Sequence, residues 1–399
     1  MKTLRIFNSQ SRKKEYVRTK GKLGMYVCGI TPYDVTHFGH AFTYTSFDVV
    51  VRYLRYLGHE VTYVQNLTDI DDDILKTAKA RKKNWRKLGE EHTQRFLEDM
   101  KWLNNLQPDV YPRATDHIPE MIQIIRKLRK KKIAYEKNGS VYFQVYADKD
   151  YGKLSRLSKS SMLPIANERG NNPHDPNKKN PLDFVLWQAK KPGEPSWPSP
   201  WGPGRPGWHI ECSAMSMKYL GETIDIHGGG SDLKFPHHES SMAQSETATG
   251  KEFVRCWMHA GMVLCDGVKM SKSLGNMVFI SDLKKKYSAN SMRMYLLFHH
   301  YRFTMDYTEK GIQKAQKIDT LFKRVWRVQS GLGESLDFSR FERRFFRAMN
   351  DDFNTPMALK TLEKLANQIL KNHRDKHIAG AKAFLNKAFH ILGLVVEYE

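Results

Sequence analysis

Apolar positions near the start of the chain follow two periods. Met25 to Ile30 and Val61 to Val64 are short apolar runs of strand length. Between them Phe47, Val50, Val51, Leu54 and Leu57 recur every three or four residues. That spacing predicts a helix from about His40 to Leu57, closed by Gly58. Strand, turn, helix, strand is a βαβ unit, which implies a parallel sheet with a ligand at the carboxyl ends of its strands. Helical periodicity continues over Glu90 to Lys132, and Val141 to Val145 reads as a strand. Asn167 to Asn180 and Lys191 to Gly207 are polar or rich in Pro and Gly and read as loops. Together these segments predict an insertion, about residues 113–206, between two halves of a nucleotide-binding fold. Helices are expected at Ile210 to Leu220, Ser240 to Thr249 and Ser281 to Tyr287. From about Glu309 the pattern is helical to the end, with turns near Gly331 to Gly333 and Asn350 to Pro356. The expectation is an α/β domain over 1–308 and a helical bundle over 309–399.

A chain of 399 residues suits that division. No apolar run approaches the roughly 20 residues needed to span a bilayer. Met1 to Arg12 is followed by no apolar stretch, so it is not a secretory signal. A soluble, cytoplasmic, monomeric protein with no membrane partner is expected. The formal net charge is +22, from 65 basic against 43 acidic residues. Such a surplus points to a polyanion, nucleic acid foremost, although abundant lysine in the host's proteins would give it too. Basic runs at Arg126 to Lys132 and Lys284 to Lys286 could track phosphates or be solvated helix faces. Cys28, Cys212, Cys256 and Cys265 are too few for a disulfide framework. Two of them could be metal ligands, the others small core residues.

Three segments carry candidate chemistry. His37-Phe38-Gly39-His40 lies at the strand-to-helix turn, where free N–H groups and the helix dipole attract phosphate. Two imidazoles there can donate to charge that develops in a transition state, though histidines at helix starts are often structural. Lys269-Met270-Ser271-Lys272-Ser273 places two lysines in a polar loop, suited to a triphosphate or to plain solvation. His227-Gly228-Gly229-Gly230-Ser231-Asp232 offers room for a purine and ribose against backbone, with Asp232 accepting from a sugar hydroxyl; a simple glycine turn is the alternative.

In this order, His37 to His40 and Lys269 to Ser273 resemble the two signatures of class I aminoacyl-tRNA synthetases. Gly207-Trp208-His209-Ile210-Glu211-Cys212, the glycine run, Phe235-Pro236-His237-His238-Glu239, Asn66 to Asp72 and Asp351 to Pro356 resemble the cysteinyl-tRNA synthetase branch. The resemblance covers nearly the whole chain. It implies a Rossmann-like nucleotide-binding domain with an insertion, then a C-terminal helical bundle, without the small anticodon-binding domain usual in the tRNA enzymes. It implies ATP and L-cysteine as substrates, with Mg2+ accompanying the ATP. His37, His40, Lys269 and Lys272 would act on the phosphates, and Gly228, Gly229, Gly230, Asp232 and Ser271 would hold the nucleotide. Gly29, Thr68 and Trp208 would contact the amino acid. Cys28, Cys212 and His237 would bind one Zn2+. The family's fourth ligand, a Glu one helical turn after the His, is Ser241 here, and a hydroxyl binds zinc poorly.

That departure is shared with a relative, the ligase that joins cysteine to an amino-sugar inositol in mycothiol synthesis. Gly29 to Asp34, Thr36 to Ala41 and His299 to Arg302 resemble that relative more, whereas Pro112 to Thr115 and Ser199 to Ser213 resemble the tRNA enzyme more. The acceptor is therefore expected to be tRNA(Cys), with a glucosaminyl-inositol amine as the alternative. A degenerate RNA-binding paralogue is a third reading, opposed by the intact His37, His40 and Lys272.

Overall fold

The computed structural model describes residues 4–17, 21–270 and 274–396. Its central sheet is built from β1 (Lys22–Val27), β2 (Glu60–Gln65), β3 (Ile224–Gly230) and β4 (Val254–Ala260). All pairings are parallel, in the order β2-β1-β3-β4. The buried apolar residues of β1, Leu23, Met25, Tyr26 and Val27, fit a strand covered on both faces. Helix α1 (Phe38–Tyr56) carries the chain from β1 to β2, burying Phe42, Phe47, Val50, Val51 and Leu54. Gly58 leaves it with φ +90°, a conformation that favours glycine. Two more helices flank the second half: α2 (Trp208–Leu220) and α3 (His237–Thr249). Because β2 lies on one side of β1 and β3 on the other, the order in which strands are added to the sheet reverses between β1 and β3. A crevice opens at that point, at the carboxyl ends of the strands.

Between β2 and β3 the chain forms a four-stranded antiparallel sheet from Ala134–Lys137, Ser140–Phe143, Phe184–Ala189 and Gly204–Pro206. The last of these strands lies inside the segment expected to be a loop. The expected helix over Glu90 to Lys132 is two helices, Trp85–Trp102 and Ile118–Lys130. Asn104 turns left-handed between them (φ +56°), and Pro108 and Pro112 cannot donate to a helix. The intervening chain instead extends alongside β2, where Gln65 N donates to Val110 O at 3.1 Å and Leu67 N to Pro112 O at 2.8 Å. The helix expected at Ser281 to Tyr287 is a single turn, Ile280–Leu283.

Beyond β4 come α4 (Ala289–Leu297), α5 (Glu309–Arg327), α6 (Ser339–Met349), α7 (Thr355–Asn372) and α8 (Ala379–Leu392). Buried Arg293 on α4 fastens this region to the sheet domain. It pairs with Asp48 of α1 and donates to Leu392 O (2.6 Å), Leu103 O (2.8 Å) and Asn105 Oδ1 (2.6 Å). A second fastening is buried Asp352, in the turn before α7. It accepts from Phe7 N (2.8 Å), Tyr301 Oη (2.8 Å) and Arg302 Nε (2.9 Å). Phe7 belongs to an N-terminal hairpin of Arg5–Asn8 and Lys13–Tyr16. Among the described residues no helix is long and apolar enough to cross a membrane.

Candidate active site

The crevice at the β1/β3 switch point is a cavity of about 1250 Å³. Cys28, Gly29, His37, His40 and Thr68 reach its wall from the first half of the sheet domain. Trp208, Cys212, Gly230, Asp232, His237 and Lys269 reach it from the second. Gly228 and Gly229 do not. Both lie within β3, and the Cβ that each lacks would stand 2.4 Å from Phe47 Cε1 and 2.8 Å from His238 Cε1, respectively. These two glycines make room for protein side chains rather than for a purine and ribose. Ser271 and Lys272 lie outside the described residues.

One corner of the cavity is built by the start of α1. His37 is the N-cap; its Nδ1 accepts from His40 N at 3.4 Å, and His37 N donates to His40 Nδ1 at 3.5 Å. The two rings stack with centroids 3.7 Å apart. With Nδ1 accepting, a neutral ring carries its proton on Nε2 and can donate it. Loss of surrounding water, and then the neighbouring His37, hold His40 well below the usual imidazole range, so it is a neutral donor. The segment that follows the 269–276 loop runs beside this corner. Phe38 N donates to Val278 O (2.8 Å) and Ile280 N to Thr36 O (3.2 Å), so backbone bonds hold the Val278 to Ile280 segment against the start of α1.

The other corner holds sulfur and imidazole. Cys28 follows β1, and its N–H donates to Gly228 O at 2.9 Å. Its Sγ lies 3.6 Å from Cys212 Sγ on α2 and 3.2 Å from His238 Nε2 on α3. His237 Nε2 lies 3.2 Å from Cys212 Sγ. Behind this ring the imidazoles continue outward. His237 Nδ1 meets His209 Nδ1 at 3.1 Å, His238 Nδ1 meets His259 Nε2 at 2.9 Å, and His259 Nδ1 meets Ser9 Oγ at 2.8 Å. Trp208 stacks on His237 at 4.5 Å. Burial holds His209 and His238 well below the usual imidazole range and lowers His259 to about 3, so the rings are neutral. The hydrogen bond from Cys28 leads the causes that hold Cys212 well below the usual thiol range, while burial pushes Cys28 up.

Two buried thiols and imidazoles side by side are the donor set of a zinc-type site. Ligand atoms of Cys28, His237 and His238 all lie within 4.8 Å of one another. The surroundings have the supporting shell that metal-binding histidines usually need, with the second ring nitrogen engaged in each case. Of this cluster, the sequence reading left out His238, His209 and His259. The His237-His238 pair was visible, but nothing in the sequence tells which ring turns inward.

The cavity wall around Gly29 and Thr68 is closely fitted. Gly29 N donates to Asn66 Oδ1 at 2.9 Å, Asn66 Nδ2 to Thr68 Oγ1 at 3.2 Å, and Thr68 N to Ile30 O at 3.1 Å. Asp71, which caps the helix Asp72–Ala80 through Ile74 N (2.9 Å), also lines the cavity. Burial raises its carboxyl to about 7.

Residues 14–317 match the model of the tRNA synthetases class I (C) catalytic domain, and residues 344–397 that of the DALR domain. Among solved structures, Mycobacterium tuberculosis methionyl-tRNA synthetase in complex with methionyl-adenylate superposes with a TM-score of 0.65. It is 15% identical in sequence, and the match covers 93% of this chain and 89% of that one. A leucyl-tRNA synthetase from Agrobacterium radiobacter K84 gives 0.65 at 11% identity, with 94% and 83% covered. The fold is therefore that of a class I aminoacyl-tRNA synthetase. The cysteine--tRNA ligase of Thermococcus onnurineus is 45% identical, with 99% of this chain and 87% of that protein aligned. The cysteine--tRNA ligase of Haemophilus influenzae is 47% identical, with 98% and 86% aligned. This chain belongs to the cysteine--tRNA ligase family.

Proposed function

We propose that the protein activates L-cysteine with ATP to cysteinyl-adenylate and transfers the cysteinyl group to tRNA(Cys). The observation that carries this reading is a single cavity with neutral imidazole donors at a helix N-terminus in one corner and a thiol–imidazole cluster in the other. The first corner suits a polyphosphate, the second a thiol, and a bound cysteine has its carboxylate between them. That carboxylate is ionised at neutral pH and needs no general base. It attacks the α-phosphate in line, and pyrophosphate leaves with Mg2+. The protein's task is positioning and charge stabilisation. In this reading His37 and His40 donate to the α-phosphate region and Gly230 and Asp232 hold the nucleoside, with Lys269 and Lys272 assigned to the pyrophosphate and Ser271 to the nucleotide from the sequence motif. Gly29 and Thr68 line the amino-acid end, and Trp208 fixes the His237 ring by stacking.

Cys28, Cys212 and His237 would hold one Zn2+. Bound there, zinc would supply a soft Lewis acid that takes a thiolate far better than a hydroxyl, which separates cysteine from serine. Cys28→Ala/Cys212→Ala protein is expected to lose its zinc by metal analysis; full occupancy in that variant would remove the site. A net charge of +22 suits a tRNA substrate. The relatives at 45 and 47% identity are named for tRNA, which gives the amino-sugar alternative no support. The test offers total tRNA and glucosaminyl-inositol in parallel to protein, ATP and labelled cysteine. Label in tRNA is expected; label only in the amino-sugar would refute the reading.

A further inference from the structure

We infer that Arg169, a residue of the insertion, positions Asp232 for the nucleoside, so that ATP affinity depends on a side chain outside the parallel sheet and its helices. The inference rests on the reading of Asp232 as an acceptor for the nucleoside. Arg169 closes the helix Lys159–Glu168, where its own N–H donates to Ala166 O at 3.0 Å, and it lines the cavity. Its Nη1 donates to two backbone carbonyls, those of Asp232 and Phe235. They bracket the single turn Ser231–Lys234 that follows β3, a turn that no side chain caps. One guanidinium therefore spans the turn that carries Asp232, and a charged donor makes the stronger class of hydrogen bond.

The Asp232 carboxylate takes its place from the backbone beneath it. Among the described residues nothing donates a hydrogen bond to it. A Cβ on Gly230 would stand 2.3 Å from its Oδ1, so the carboxylate lies over bare backbone at the start of the same turn. If the turn shifts, the carboxylate shifts with it. The thiol side of the cavity is anchored separately. Glu239, in the first turn of α3, accepts from Gly152 N (3.0 Å), Leu154 N (3.3 Å) and Ser155 N (2.6 Å). Next to it, Ser240 Oγ meets Tyr151 Oη at 2.9 Å. These bonds tie α3, and with it His237, to the insertion without Arg169. Loss of the guanidinium therefore frees the Asp232 turn and leaves the sulfur corner in place.

Cysteine-dependent ATP–pyrophosphate exchange on the full chain tests this, with the KM for ATP and the KM for cysteine measured separately and urea unfolding run alongside. A contact made equally in the ground and transition states raises KM and leaves kcat unchanged. A hydrogen bond from a charged group is worth about 10- to 100-fold, so Arg169→Ala should raise the KM for ATP by about tenfold, the lower end because Arg169 acts through Asp232. The KM for cysteine should stay within about twofold, since the Glu239 anchor is intact. Arg169→Lys keeps a cation for one of the two carbonyls and should fall between, and it supplies the comparison if the alanine variant does not fold. Asp232→Ala should also raise the KM for ATP, and the double variant should be no worse than Asp232→Ala, because a positioning residue acts only through the group it positions. Equal rises in both KM values would make Arg169 a general brace and overturn the inference. A fall in kcat alone would overturn it too, as the mark of direct contact with the reacting phosphate, and so would additive effects in the double variant. If Asp232→Ala raises the KM for ATP and neither Arg169 variant does, the inference fails alone. An unchanged KM for ATP in Asp232→Ala would overturn the reading of Asp232 on which it rests.

Discussion

Gly29→Ala tests whether the amino-acid end of the cavity is as tightly built as the geometry implies. A Cβ at Gly29 would stand 1.5 Å from Asn66 O, where real contacts essentially never fall below 3.0 Å. The obstacle is backbone, so no rotamer change can relieve it; the β1 end and the chain after β2 must separate by about 1.5 Å. The bonds that would open hold the site: Gly29 N to Asn66 Oδ1 (2.9 Å), Thr68 N to Ile30 O (3.1 Å) and, one residue back, Cys28 N to Gly228 O (2.9 Å). Misplacing a reacting group by about 1 Å costs on the order of 10²-fold in rate. That corresponds to about 2.7 kcal/mol in the barrier. Cysteine-dependent ATP–pyrophosphate exchange is the assay, with urea unfolding run alongside so that only folded protein is compared. The expected kcat/KM is at least about 100-fold below the unsubstituted protein. Exchange within about threefold, well under one kcal/mol, would mean that Gly29 is dispensable and the cavity wall is soft.

Loss of one preorganised donor costs about 10²–10³-fold, so His40→Ala should lower kcat of exchange by that order with a smaller effect on the KM for cysteine. An unchanged kcat would remove His40 from the transition state. Asp71 gives a pH signature in stability. Burial raises its folded-state value to about 7, above the ordinary carboxyl value, so the fold favours the protonated form. Its contribution is fully present below about pH 4 and is lost as pH rises through about 7, by at most about 4 kcal/mol. Asp71→Asn keeps a capping side chain and should flatten urea stability across that window. An identical pH slope in the variant would contradict the assignment. Finally, tRNA binding should weaken about 10³-fold between roughly 50 and 200 mM salt if six phosphates are neutralised. Affinity insensitive to salt would show that the +22 charge does not face the nucleic acid.

The βαβ unit at the start was legible because its apolar spacing is strong and Gly58 marks the end of α1. The break between Trp102 and Ile118 was not, since the periodicity on both sides is helical and only Asn104, Pro108 and Pro112 speak against it. The α3 start was placed late, at Ser240 instead of His237. Ser240 N already bonds Pro236 O at 2.8 Å, so the helix is under way before Ser240. That shift matters for the site, because it puts His237 and His238 in the first helical turn, one ring toward Cys212 and the other toward Cys28. The glycine run read as open space for a ligand, but a glycine in a strand also serves a close approach of protein, as Phe47 and His238 show. The convergence of residues 28, 212 and 237 has no spacing signature at all. It depends on β3 lying beside β1, a matter of sheet order that local pattern does not encode; only the family resemblance pointed there.

The N-terminal hairpin touches both ends of the molecule within three residues. Phe7 N is held by Asp352 in the turn before α7, and Ser9 Oγ by the His259–His238 pair behind the thiols. A ribbon that short cannot fray at one end and stay ordered at the other. The C-terminal helices and the sulfur corner therefore share one thermodynamic fate: heat should melt them in a single transition, and zinc held at the proposed site should leave at the temperature where the helices come apart.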